Sequence, residues 1–367
     1  MSNRPLSAVV LAAGAGTRMK SARPKPLHML CGRPMVQHVL DSLSGLEANW
    51  VVLVVGHGAE RVVKKINEGP STLPIHYVEQ VEQRGTGHAV SVALSALPAE
   101  VSDETEDADM LVLPGDTPLL DGKTVAELLR QHRETDAAAT ILTVRAPDPT
   151  GYGRIVRDKN GRVRRVVEER DATAEEAVID EVNTSVYCFR TSLLGVALRR
   201  IDDQNDQGEL YLTDAIGILA DAGHRIETMI APDIAWAVGV NDRSQLAAAE
   251  AELRRRINHK WMRAGVTMVN PDDTYLDMDV TLAPDVTLYP GTRLEGATSV
   301  GSGSEIGPEV RLTDCTVGQR VSVSNAHGKD ATIGDGAVVG PYVVLEPGAE
   351  VEANGRVAPF SAAKPNA

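Results

Sequence analysis

Residues 7–19 read Ser-Ala-Val-Val-Leu-Ala-Ala-Gly-Ala-Gly-Thr-Arg-Met, and Pro24-Lys25-Pro26-Leu27 follows shortly after. The run 7–11 is apolar and ends in small residues, which predicts a buried first strand. The glycines after it predict a tight turn whose backbone N–H groups can approach an anion without Cβ clashes. Arg18 and Lys25 bring two positive charges to the same turn, a useful pairing where phosphoryl transfer spreads negative charge over oxygens. Two familiar glycine motifs fail here. A dinucleotide fingerprint wants a third glycine where Met19 stands, and no G-x-x-x-x-G-K-[ST] stretch lies nearby.

Outward from that turn, short apolar runs alternate with amphipathic stretches up to about residue 265, the pattern of a layered α/β domain. Strands are predicted at 51–55, 110–113, 139–144, 154–157, 163–168 and 182–189. Helices are predicted from Pro34, where Val36, Val39, Leu40 and Leu43 share a face, and at 86–97, 192–200, 211–222 and 243–262. The last is long and charged and suits an arm between domains.

Beyond 265 the texture changes. Residues 280–315 divide into VTLAPD, VTLYPG, TRLEGA, TSVGSG, SEIGPE and VRLTDC, so Leu282, Leu288, Leu294, Val300, Ile306 and Leu312 recur every six residues. That period predicts a parallel β-helix in which each short strand turns one aliphatic inward and small residues take the corners. A second series runs from Ile333 through Val339, Leu345, Val351 and Val357. Between the two the register slips, and 322–330 reads as an excursion.

Composition narrows the chemistry. Of 367 residues, 43% are hydrophobic, 24% charged and only 3% aromatic, so the cores must be aliphatic. A net charge of −14 argues against a nucleic-acid partner, which needs a basic face. Cys31, Cys188 and Cys315 lie far apart and read as thiols of a reducing compartment. No signal-like start and no membrane-length apolar run is present, so no membrane partner and a cytoplasmic location are expected. His28, His38, His57 and His88 lack metal-ligand spacing and read as packing or hydrogen-bonding residues. The acidic run 103–109 reads as a solvated loop.

Several further blocks stand in order: GTGHA at 85–89, GDTPLL at 115–120, DPTGYGRI at 148–155, VEERDAT at 167–173, EVNTSVY at 181–187, ELYLTD at 209–214 and GVNDR at 239–243. With the opening LAAGAGTRM and PKPLH they resemble the bacterial N-acetylglucosamine-1-phosphate uridylyltransferases, and the likeness runs from residue 7 to about 350. The resemblance implies a Rossmann-like, GT-A-like nucleotidyltransferase domain at 1–240, a linking helix at 241–265, a short left-handed parallel β-helix at 266–358 and a polar tail at 359–367. It implies UTP and a sugar 1-phosphate as substrates, Mg²⁺ as cofactor, and a homotrimer formed through the β-helix.

Site roles follow from the same resemblance. Arg18 and Lys25 would be catalytic. Leu11, Ala12, Ala13, Gly14, Gly16, Gln80, Gly85 and Thr86 would bind the nucleotide, with the Gln80 amide reading uracil. Gly153, Glu168, Asn183, Tyr211 and Thr213 would bind the sugar. Asp116 and Asn241 would hold the metal, which takes few protein oxygens and keeps phosphate and water ligands. Each of these two is also readable as a helix N-cap.

The sequence departs from the family in places. Relatives of the bifunctional kind carry further coils with an acetyl-CoA site and a catalytic His; here no His follows His327, and Glu346 stands where the family has an Arg. Loss of acetyltransferase activity is the expectation. Ser185 replaces a Gly and Pro114 a Tyr or Ser, both near the expected pocket. An acceptor other than N-acetylglucosamine 1-phosphate, such as a cyclitol phosphate, remains an alternative, as does a non-catalytic sugar-nucleotide binder. A nicotinamide oxidoreductase is disfavoured by Met19.

Overall fold

The apolar run at the start of the chain forms β1 (Leu6–Leu11), the centre of a mixed sheet. The strands that follow are β2 (Trp50–Val55), β3 (Ile75–Glu79), β4 (Asp109–Pro114), β5 (Ala139–Arg145), β6 (Arg154–Arg157), β7 (Val163–Val167), β8 (Glu181–Arg190) and β9 (Ile226–Ile230). The computed structural model describes residues 4–69, 73–98, 108–231, 233, 235 and 239–365. It divides into two compact units, Met1–His28 with Pro34–Leu246, and Met29–Arg33 with Ala247–Ala367. The inclusion of 29–33 in the second unit has no counterpart in the sequence pattern.

The first unit's sheet has the order β9-β5-β8-β4-β1-β2-β3, with β6 and β7 attached beside β8. From β1 the chain moves outward through β2 and β3, each parallel to its neighbour, then returns to lay β4 parallel on the other side of β1. The strand order therefore reverses between β1 and β4. A crevice forms at the carboxyl ends of strands at such a switch point, which is where open α/β sheets bind ligands. The glycine turn follows β1 and Asp116 follows β4, so both reach that crevice.

Alternation along the strands fills both faces. Val10, Leu53 and Leu111 point to one side and pack with α1 (Met35–Asp41), α2 (Ala59–Asn67) and, beyond the helix α3 (Thr86–Ser95), with α4 (Gly122–Thr135). Val9, Val52 and Val112 point to the other side, where Ala89, Val90 and Ala93 of α3 cover them. Past α5 (Ala174–Ala177), the same side is covered by α6 (Thr191–Leu198) and α7 (Asp214–Asp221) through Leu194 and Ile216. The helix α8 (Arg243–Arg263) starts in the first unit and continues into the second. Among the described residues no helix is long and apolar enough to cross a membrane.

Asp109 corrects the reading of the acidic run. Residues 103–107 lie outside the described residues, but Asp109 opens β4 and is wholly buried. Arg4 Nε and Arg133 Nε donate to its two oxygens at 2.7 Å each, and Arg133 also donates to the Arg4 carbonyl. Burial opposes ionisation of Asp109, yet hydrogen bonds from His132 and Arg133 and the Arg4 charge outweigh it and hold the carboxyl below its usual range. This cluster ties the start of the chain to α4 and to the central strands.

In the second unit three parallel columns of short strands wind as a left-handed parallel β-helix, with six, six and five strands respectively among the described residues. Pairing is in register, as in Leu288 with Ile306 and Leu294 with Leu312. The inward residues form aliphatic stacks such as Leu282, Val300, Val317, Ile333 and Val351. Residues 322–330 are no excursion. Ser322–Val323 and Ala326–Lys329 continue two of the columns. The inward positions run Leu312, Val317, Val323, Gly328 and Ile333, so three of the four steps are five residues instead of six. Gly328 also takes an aliphatic's place, because a Cβ there would stand 3.0 Å from Leu312 and 3.2 Å from Leu345. The coil extends past 358 too, since Ala362–Ala363 pairs with Val344 and Leu345.

Removing one partner from a buried ion pair strands the other charges. Asp109→Ala is expected to cost about 3–5 kcal/mol of stability at neutral pH, read by denaturant unfolding. Because the folded carboxyl has the lower pKa, its contribution is present above about pH 4 and fades as pH falls further. The gap between wild type and variant should shrink accordingly.

Candidate active site

The crevice opens into a cavity of about 670 Å³ in the first unit. Its floor is set by backbone hydrogen bonds between strand ends. Ala12 N–H donates to the Val54 carbonyl, and Gly115 N–H donates to that of Leu11. Gly16 then adopts a left-handed backbone, φ 61°, and a Cβ there would lie 2.6 Å from the Lys25 Cβ. Glycine is needed twice at this place, for the turn and for the passage of the lysine side chain.

Lys25 is the meeting point. Its Nζ donates to Asp116 Oδ2 and to Asn241 Oδ1, the latter at 2.9 Å. Arg18 donates to the same Asn241 oxygen at 2.9 Å. Val240 N–H donates to the Asp116 carbonyl at 2.8 Å, which draws the segment at Gly239 and Asn241 against the end of β4. Four residues from three separate parts of the sequence thus converge. Neither Asp116 nor Asn241 acts as a helix cap. Asp121 caps α4, and the Asp242 carboxylate accepts from the Gln245 N–H in α8.

Two oxygen donors, one carboxylate and one amide carbonyl, already share a single cation. That donor set fits a hard divalent ion completing its shell with water and phosphate oxygens. Among the described residues no group of three or more His, Cys, Asp or Glu is arranged to hold a metal. An ion at Asp116 and Asn241 would therefore rely on substrate oxygens.

Across the cavity, Gln80 is only 4% exposed. Its Nε2 lies 3.2 Å from the Gly85 carbonyl and 3.1 Å from His88 Nδ1. With both amide hydrogens so used, Oε1 is left to accept from a ligand. A Cβ on Gly85 would stand 2.6 Å from the Leu210 carbonyl, so this glycine permits the 205–212 segment to close against the loop. Thr86 Oγ1 accepts from Leu212 N–H and locks the same contact.

At the other end, Glu168 accepts from Thr213 Oγ1 at 3.0 Å. Burial, aided by Asp214 and Asp171, pushes its carboxyl up, although the Thr213 hydrogen bond resists. Asn183 donates to the Tyr187 hydroxyl at 2.7 Å, and Tyr211 accepts from Gln207 at 2.7 Å. The cavity wall includes Leu11, Ala12, Ala13, Gly14, Gly16, Arg18, Lys25, Gln80, Gly85, Thr86, Asp116, Glu168, Asn183, Tyr211, Thr213 and Asn241. Gly153 is not among its lining residues; it lies behind Asn183, whose N–H donates to the Gly153 carbonyl. Gln83, Tyr152, Tyr187 and Gln207 line the wall without having been singled out from sequence. The first three fall inside or beside the quoted blocks, and Gln83 Nε2 holds the Ala13 carbonyl at 3.1 Å.

A sheet that presents two cations, a carboxylate and an amide oxygen at its switch point is built for phosphate chemistry on a nucleotide. Comparison with known proteins sharpens this. The family model described as nucleotidyl transferase matches residues 7–251. The bifunctional protein GlmU of Mycolicibacterium vanbaalenii is 47% identical over 359 residues, a match spanning 97% of this chain and 72% of that relative. Its namesake in Rhodococcus jostii is 47% identical over 357 residues, spanning 96% and 70%. The one in Shouchella clausii is 42% identical over 353 residues, spanning 96% and 75%. The chain belongs to the nucleotidyl transferase family, among the relatives of GlmU.

Lys25→Met is expected to lower turnover by about 10²–10³-fold while the far-ultraviolet circular dichroism stays that of wild type. Gly16→Ala should act through the same lysine by displacing it, with a loss on the order of 10²-fold.

Proposed function

We propose that the protein transfers a uridylyl group from UTP to a sugar 1-phosphate, N-acetylglucosamine 1-phosphate being the best-supported acceptor, and releases pyrophosphate. The observation that carries this reading is the convergence of Arg18, Lys25, Asp116 and Asn241 at the strand-order reversal. Uracil sits against Gln80, whose free Oε1 accepts from the imide N–H; cytosine presents a lone pair at that position and is disfavoured. Backbone N–H groups at Gly14 and Gly16 and the Arg18 and Lys25 charges receive the triphosphate. Glu168, Asn183, Thr213 and Tyr211 take the sugar, and Gly153 supports Asn183 from behind.

An oxygen of the sugar phosphate attacks the α-phosphorus in line. The bond from that phosphorus to the bridging oxygen breaks, and pyrophosphate leaves with the electron pair. No covalent protein intermediate is needed, since the attacking phosphate is already ionised. The residues orient the two substrates and neutralise their charge. A divalent ion, Mg²⁺ in this reading, would be held by Asp116 and Asn241 and would supply further neutralisation of phosphate charge. The reaction takes place in the cytoplasm, which suits three free thiols. Acetyl transfer is not part of the reading, because Glu346 places a carboxylate where the resembling family uses a cation.

The test is pyrophosphate release with four nucleoside triphosphates against several sugar and cyclitol 1-phosphates. UTP with N-acetylglucosamine 1-phosphate should be the fastest pair, and a faster pair lacking uracil would reject the assignment. Gln80→Glu, which cannot donate to Gly85 and His88, should raise the KM for UTP at least ~10-fold and blunt the preference over CTP.

A further inference from the structure

Among the described residues lining the cavity, Ser185 alone is a non-glycine residue with a left-handed backbone, φ 62°. L-residues avoid that region because Cβ crowds the backbone, whereas glycine holds it freely. Strain retained at a ligand pocket is a reason to look for a use.

Its origin is local. From Asn183 to Tyr187, β8 advances four residues while its partner β5 steps only from Thr143 to Ile141. The resulting bulge turns Ser185 out of the sheet, exposed between buried neighbours. Its N–H donates to Asn183 Oδ1 at 3.0 Å, and Asn183 Nδ2 donates to the Tyr187 hydroxyl. Asn183 and Tyr187 are both buried, so the backbone of the outward serine is anchored to a buried polar pair. A residue whose backbone is held in this way is positioned before any ligand arrives.

We propose that Ser185 is a specificity-determining residue for the acceptor: its hydroxyl, carried into the cavity on the bulge that Asn183 anchors, hydrogen-bonds a polar ring substituent of the sugar 1-phosphate. Acceptors that lack the substituent leave the hydroxyl without its partner and are rejected. The inference rests on the function proposed above and names what its sugar end selects.

The experiment compares kcat/KM for N-acetylglucosamine 1-phosphate and its monodeoxy analogues, with UTP, in wild type, Ser185→Ala and Ser185→Gly. Ser185→Ala should lose about tenfold on the parent acceptor, and lose nothing on the one analogue that already lacks the contacted group. The KM for UTP should stay within about twofold, because the uracil end is untouched. Ser185→Gly relieves the backbone strain, so it should keep at least the wild-type Tm while showing the same acceptor pattern. Equal losses on the parent and every analogue, or no loss in either variant, would overturn the proposal. Wild-type protein that released no pyrophosphate with any acceptor would instead overturn the function itself.

Discussion

The ammonium of Lys25 holds the site together. It joins the end of β4 through Asp116 to the segment before α8 through Asn241, and it crosses the glycine turn that follows β1. Without that cation the Asp116 carboxylate would lose its ammonium partner, and Asn241 Oδ1 would keep only Arg18. With it, the ligand-free protein keeps two oxygen donors and two cations in one place. In the proposed reaction, incoming phosphates would offer those cations new partners and leave the donors to a divalent ion.

The fold makes this convergence cheap in local distortion. Strand order reverses between β1 and β4, so two turns distant in sequence end side by side. Among the described residues lining the cavity four have positive φ: Gly16, Gly85 and Gly151, and Ser185, which the β8 bulge forces there. Gly16 and Gly85 make room for Lys25 and for Leu210, respectively. Rigid strands thus carry the machinery, and irregular backbone is confined to the points where a ligand or a neighbouring chain segment must come close.

Much of this was legible in the sequence because the signals were redundant. The buried strand, the glycine turn and the cations at Arg18 and Lys25 lie within about twenty residues, and the hexads between 280 and 315 are uninterrupted. What escaped had physical reasons. Asp109 sits in an acidic run, and its partners Arg4 and Arg133 lie far off in the chain, so charge density alone misplaced it. The β-helix lost its visible period where steps of five replaced steps of six and Gly328 replaced an aliphatic. Gly153 carried a motif but stands one layer behind the cavity. Tyr187 and Gln207 reach the wall through a bulge and a loop, which no periodicity encodes.

The most direct test of the account is a crystal structure with UTP and Mn²⁺ bound, the metal located by its anomalous scattering. The account predicts the metal against Asp116 and Asn241, the triphosphate against Arg18 and Lys25, and the base beside Gln80. A triphosphate bound away from Arg18 and Lys25, with the Lys25 contacts to Asp116 and Asn241 undisturbed, would contradict it.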